Sequence, residues 1–140
     1  MRALVCLLLL AIAIRTEAQA VPDGERATFS RCHGANRVTC VVDGDTIWYR
    51  GTKIRIADIN TPEISRPSCR REAELGERAT ARLTALLNAG GFSLVRGGRD
   101  EDRYGRKLRV VTRGGVSLGE MLVAEGLAER WQGRRGNWCA

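Results

Sequence analysis

At 140 residues, 44% hydrophobic and 28% charged, the chain has the length of one domain with a real core. Its formal net charge of +7 suits a polyanionic partner, although many soluble domains are mildly cationic without one. The apolar run from Ala3 to Ile14 falls well short of the roughly 20 residues needed to span a bilayer, which argues against an uncleaved anchor.

Taken in order, Met1-Arg2, that apolar run and the small-residue pattern Ala18-Gln19-Ala20 predict a signal peptide over residues 1–20. The protein is therefore expected to be exported, secreted or periplasmic, with no membrane association after cleavage. Without Arg2, Arg15 and Glu17 the remaining chain carries about +6. Residues 21–37 are polar and aperiodic and read as an extended leader without chemistry.

Cys32, Cys40, Cys69 and Cys139 remain after Cys6 leaves with the signal peptide. An even number in a small exported chain implies two disulfides, with three connectivities open. The preferred pairing is Cys32 with Cys40, closing a short loop, and Cys69 with Cys139, stapling the C-terminal tail. The spacings do not resemble paired zinc-ligand motifs, and the one histidine, His33, reads as a solvated loop residue.

Val38 to Val42 is a β-branched run, and Asp43-Gly44 is a turn dipeptide leading into a second strand, Thr46 to Tyr49. After Arg50-Gly51, the stretch Lys53 to Ile59 alternates as a half-buried strand, with Ile54, Ile56 and Ile59 inward and Arg55 on the opposite face. Asn60-Thr61-Pro62-Glu63 ends it, because proline lacks a ladder donor. Either turn alone is ordinary structural sequence. Together they gather Asp45, Arg55, Asn60 and Glu63, the oxygen donors and guanidinium that metal-assisted attack on a phosphodiester needs.

A loop with Pro67 follows, then a helix over Cys69 to Asn88, capped by Ser68 and stopped by Gly90-Gly91, with Leu75, Ala79, Leu83, Leu86 and Leu87 at helical spacing. Phe92 to Arg96 and Lys107 to Thr112 read as a fourth and fifth strand. The charged loop between them holds Arg103-Tyr104-Gly105-Arg106, two guanidinium groups and a phenol suited to phosphate and base contacts. Ser117 and Glu120 form a capping box for a second helix with Leu118, Met121, Leu122 and Leu127 toward the core and Gly126 at its end. The tail over residues 131–140 interleaves arginine with Trp131 and Trp138, which suits either stacking on bases or packing.

Four blocks in order, Val42-Asp43-Gly44-Asp45-Thr46, Ile54-Arg55-Ile56, Asn60-Thr61-Pro62-Glu63 and Asp102-Arg103-Tyr104-Gly105-Arg106, closely resemble the staphylococcal nuclease (thermonuclease) family over residues 38–130. The resemblance implies a mainly β, α+β fold with two to three helices, a five-stranded OB-fold barrel of the kind that commonly binds oligonucleotides. It implies a Ca²⁺-dependent nuclease cleaving DNA and RNA to 3′-phosphate ends. A monomer is expected, with single strands preferred because a site on a barrel face needs a splayed strand. By the same resemblance Asp45, Asn60 and Thr61 hold the metal, Glu63 is the general base, Arg55 and Arg106 hold the scissile phosphate, and Tyr104 contacts substrate; Arg103, from the charge of its loop, is expected to contact substrate beside it.

Asn60 departs from the pattern, standing where strongly active relatives have a second metal aspartate. An amide oxygen can still meet calcium, but the site loses a charge that helps set affinity. Asp58 is a nearby carboxylate, though strand alternation makes it an uncertain substitute. The competing function is a non-catalytic OB-fold module binding nucleic acid or protein with a degraded metal site. A disulfide-stapled structural or inhibitor domain ranks third, since it leaves the polar constellation unexplained.

Overall fold

A computed structural model describes residues 22–140, so the export segment expected over residues 1–20 lies outside the described residues. The strands are β1 (Ser30–Arg31), β2 (Cys40–Asp43), β3 (Thr46–Tyr49), β4 (Thr52–Ile56), β5 (Ile59–Asn60), β6 (Ser93–Val95), β7 (Lys107–Arg113), β8 (Val116–Ser117) and β9 (Glu129–Arg130). The helices are α1 (Arg70–Asn88) and α2 (Leu118–Ala124).

The main sheet runs β1-β2-β3-β4-β7-β6, with β8 added to β7, and β5 pairs with β9 in a second, two-stranded sheet. Two tight turns make β2, β3 and β4 an antiparallel meander. β7 then joins β4 in parallel, because the long connection through α1 and β6 returns the chain in the same direction. Strands β2, β3, β4, β7 and β6 are thus the five expected, in the order of an OB-fold, and the whole is mainly β with two helices.

The boundaries differ from expectation in instructive ways. The single strand expected over Lys53 to Ile59 is two, because Ala57 and Asp58 form a turn. That turn lets Ile59 stay buried while its strand leaves β7 and pairs with β9. Cys69, not Ser68, caps α1: its sulfur accepts from the Glu72 N–H. Met121, expected inside, is 37% exposed, whereas Leu118, Leu122 and Leu127 are buried.

The core packs Val41, Ile47, Ile54 and Ile56 of the meander against Leu83, Leu86 and Leu87 of α1 and Leu118 and Leu122 of α2. The helical spacing of the α1 leucines puts them on one stripe, which covers the sheet. Residues 22–37, the described part of the expected leader, contribute more than a leader was expected to. Glu25 and Phe92 exchange backbone hydrogen bonds of 2.9 Å in each direction. Phe29, 3% exposed, stacks with Tyr49 at 6.0 Å and meets Phe92 at the same distance. The Asn88 side chain also brackets the Phe29 backbone, accepting from its N–H at 2.7 Å and donating to its carbonyl at 2.9 Å.

A disulfide joins Cys32 to Cys40 across eight residues, at the edge where β1 lies parallel to β2. A second joins Cys69 to Cys139, 70 residues apart, and anchors the tail at the start of α1. Phe29→Ala should lower the unfolding free energy by about 3–5 kcal/mol, the cost of emptying a closed aromatic site. Urea unfolding followed by tryptophan fluorescence checks it, and a near-neutral result would return this segment to the status of a loose leader.

Candidate functional site

The site begins with Asp45, which lies in the turn between β2 and β3 and is only 7% exposed. A buried carboxylate is tolerated only with donors around it. Asp45 has three: Thr46 Oγ1 on Oδ1 at 3.0 Å, the Thr61 N–H on Oδ2 at 3.0 Å, and Arg55 Nη2, 3.3 Å from Oδ2. A carboxylate offers roughly four acceptor positions, so one remains open. The contacts follow from the register, since Thr46 of β3 lies opposite Arg55 of β4. Gly44 is required by the close approach: a Cβ there would stand 2.8 Å from both Thr61 Cγ2 and Ala79 Cβ.

Arg55 is held from both sides. Its Nη1 donates to the carbonyls of Ile56 and Ile59, the latter at 2.8 Å, and its guanidinium lies 5.6 Å from the Trp131 ring centroid. Asp43 sits beside this group, and its carboxyl is pushed up to about 7, first by burial and then by the charges of Asp45 and Glu63. Glu63 pairs with Arg135 of the tail.

Asn60 and Thr61 are each 3% exposed. Asn60 lies directly across the β5–β9 pair from Glu129, and its Nδ2 donates to Glu129 Oε1 at 2.8 Å. A carboxylate only accepts, so this contact fixes the amide's orientation and leaves Oδ1 as the end available to a cation. Asp58 is engaged on one side at the start of α2 and keeps its buried Oδ1 without a hydrogen-bond partner among the described residues. Its Oδ2 accepts from Ser117 Oγ at 2.6 Å at the start of α2, and its backbone carbonyl accepts from the Trp131 N–H at 2.9 Å.

The loop from Asp102 to Arg106 is built around one carboxylate. Asp102 accepts from the N–H groups of Tyr104 and Arg106 at 2.9 and 3.0 Å and from Arg106 Nε at 2.7 Å. Its carboxyl is accordingly held below the usual aspartate range by hydrogen bonds from Arg106 and Tyr104, against the opposing effect of burial, the largest single influence. Tyr104, 68% exposed, has the Arg103 and Arg106 guanidinium groups 4.8 and 5.5 Å from its ring centroid.

The chain thus forms a cleft of about 470 Å³ lined by Arg55, Arg99, Arg103, Arg106 and Arg135 with Tyr104 and Trp131. Asp45, Asn60, Thr61 and Glu63 are not in its lining; Asp45 and Glu63 reach it through Arg55 and Arg135, Thr61 is bonded to Asp45, and Asn60 to Glu129. Five guanidinium groups and two aromatic faces make this concavity a place for phosphates and bases. Among the described residues, no three His, Cys, Asp or Glu side chains gather at metal-ligand spacing. A hard cation would instead meet a mixed set of oxygens: Asp45, the Asn60 amide oxygen and the Thr61 carbonyl. That set is chemically suited to calcium but sparing in charge.

Three residues outside the expected set support the site. Glu72, 7% exposed, accepts from the Ser68 N–H at 2.6 Å and the Glu63 N–H at 3.3 Å, so it fixes the backbone that carries the candidate base. Its position in the first turn of α1 could have signalled this, because a carboxylate there reaches back to free N–H groups. Glu129 and Arg135 carried no such local signal, since they meet the site only through strand pairing and the disulfide.

A family model described as "Staphylococcal nuclease homologue" matches residues 53–137. Among curated proteins, "Endonuclease YncB" of Bacillus subtilis (strain 168) is 42% identical over 94 residues, covering 62% of this chain and 43% of that protein. The "SPbeta prophage-derived endonuclease YokF" of the same organism is 43% identical over 94 residues, covering 62% of this chain and 31% of that protein. The chain therefore spans less than half the length of either relative. Arg55, Asn60, Thr61, Glu63, Arg103, Tyr104, Arg106 and Arg135 fall inside the family match, while Asp45 precedes it.

Glu72→Gln should destabilise the protein at neutral pH, because the N–H groups of Ser68 and Glu63 lower the folded-state pKa of the carboxyl. A lowered pKa contributes stability above the unfolded value that is lost as pH falls through the folded one. The parent's advantage should therefore shrink below the usual glutamate range. Urea midpoints measured across pH check it, and a pH-independent difference would overturn it.

Proposed function

Because the chain belongs to the staphylococcal nuclease homologue family, we propose that it is a calcium-dependent nuclease that hydrolyses single-stranded DNA and RNA to 3′-phosphate ends. The observation that carries this reading is Arg55: one face is tied to the buried Asp45 carboxylate, and the other lines a cleft shared with Arg106. Two guanidinium groups on one concave face match the oxygens of a phosphodiester, and a low-exposure carboxylate keeps one of them in place.

In this reading Glu63 removes the proton from the attacking water. Arg55 and Arg106 hold the scissile phosphate and stabilise charge as phosphorus becomes five-coordinate, with Arg106 assisting the departing 5′ oxygen. Arg103 and Tyr104 take an adjoining phosphate and base. Asp45, the Asn60 amide oxygen and the Thr61 carbonyl would hold the calcium ion, which when bound polarises the phosphate and the attacking water. A splayed strand fits a cleft with exposed aromatic faces better than a duplex does, because stacking requires free bases. The protein acts as a monomer and is exported, the export being supported by the signal-peptide pattern of residues 1–20 and by two disulfides, which persist in oxidising compartments.

The sparing metal set favours one alternative, a non-catalytic module that grips nucleic acid through the same arginines. Activity on denatured DNA with calcium, with chelator, and after Glu63→Gln separates the two. Catalysis predicts hydrolysis that chelator abolishes and that the substitution cuts by about 10² to 10⁴, the usual contribution of a general base, with oligonucleotide binding retained. Binding with no hydrolysis in calcium would establish the module instead.

The Asn60–Glu129 contact sets a second expectation. Asn60→Asp alone should bring little gain in calcium affinity, because the new carboxylate faces Glu129 directly across the strand pair. Paired with Glu129→Gln, it should lower the calcium needed for half-maximal activity about tenfold, corresponding to roughly 1–2 kcal/mol of added attraction at an effective dielectric near 20. Calcium titrations of both variants check it; an equal gain without the Glu129 change would show that the two side chains are not electrostatically coupled.

A further inference from the structure

We propose that Arg135 is a substrate-positioning residue, delivered to the site by the disulfide-anchored tail, that exchanges Glu63 for a substrate phosphate adjoining the scissile one. The inference rests on the nuclease reading of the cleft and deepens it.

The tail is seated at successive points. The Trp131 N–H donates to the Asp58 carbonyl at 2.9 Å, and the Trp131 ring lies against the Arg55 guanidinium. Five residues on, the Gly136 N–H donates to Glu129 Oε1 at 2.6 Å, the same oxygen that accepts from Asn60. The approach is close enough that a Cβ on Gly136 would stand 2.0 Å from Glu129 Oε2. Cys139 is then bonded to Cys69, the capping residue of α1, whose Glu72 holds the Glu63 backbone. Between these anchors, Arg135 lines the cleft with Arg55 and Arg106 and pairs with Glu63.

The pair joins an arginine side chain 66% exposed to a glutamate side chain 27% exposed. Water screens such a contact, so it is weak and easily exchanged. A phosphodiester offers the same guanidinium a bidentate partner of equal charge, and it arrives in a strand whose other phosphates are held by Arg55 and Arg106, so the contact is made without ordering a further free group. Substrate arrival therefore draws Arg135 off Glu63, and the carboxylate becomes free to take a proton from water as the flanking phosphate is gripped. A substrate with a single phosphodiester has no flanking phosphate and gains nothing from the residue.

The test compares KM and kcat of the parent, Arg135→Ala and Arg135→Lys on a single-stranded pentanucleotide and on a dinucleotide. Arg135→Ala should raise KM for the pentanucleotide about tenfold, the loss of one charge-assisted contact, with a much smaller rise for the dinucleotide. Arg135→Lys should recover part of the loss. Cys139→Ser, which frees the tail, should reproduce the rise, and the double variant should be no worse than either single one. An equal rise on both substrates, no rise on either, or additive effects of the two substitutions would overturn the proposal. Anisotropy binding of labelled pentathymidylate under chelator gives a readout that needs no catalysis. Weaker binding by Arg135→Ala there supports the role even where the parent fails to cleave, and unchanged binding overturns it.

Discussion

The structure turns on one buried carboxylate. Asp45 gathers the N–H of Thr61, the hydroxyl of Thr46 and the guanidinium of Arg55, and its own backbone carbonyl accepts from the Ile56 N–H at 2.8 Å. It therefore joins the beginning of β3, the end of β4 and the segment after β5 around a single charge. Removing any one donor would leave that charge undercompensated in a place water barely reaches, which is why such groups are costly to disturb. The geometry of Arg55 is a consequence: it is as fixed as the carboxylate that needs it.

That dependence explains what the amino-acid sequence revealed and what it hid. The meander, α1 and the strand through Lys107 were readable because each follows a local period or a turn dipeptide. The capping of α1 by Cys69 was not, since a serine stands one position earlier and a half-cystine sulfur is a poor rival on propensity alone. The split of the third strand at Ala57 and Asp58 was hidden as well. Its cause lies at the far end of the chain, where β9 offers β5 a partner and Trp131 binds the Asp58 carbonyl.

The same holds for the site. Asp45 and Arg55 come together through short-range turns and the β3–β4 register, and although the Asp102–Arg106 loop reaches them by the long-range β4–β7 pairing, it carries a local motif of its own. Glu129 reaches Asn60 only through the β5–β9 pair, and Arg135 reaches Glu63 only through a tail closed by a disulfide spanning 70 residues. Nothing in the local composition of Arg130 to Ala140 distinguishes a solvated tail from one that lines a cleft. The distinction rests on long-range bonds.

These long-range bonds also settle how charge is layered. The cleft presents guanidinium groups forward, while Asp45, Glu63 and Asp102 lie among or behind them and pair with Arg55, Arg135 and Arg106. Asp43 is raised first by burial and then by the charges of Asp45 and Glu63, so this interior already disfavours negative charge before any further acid is added. Asparagine at position 60 is consistent with that condition. Its amide satisfies Glu129 across the strand pair and still turns an oxygen away from it, whereas a carboxylate could do only the second while repelling its neighbour. The asparagine at position 60 is therefore coupled to the acid it faces, and the two positions are best understood as one electrostatic unit.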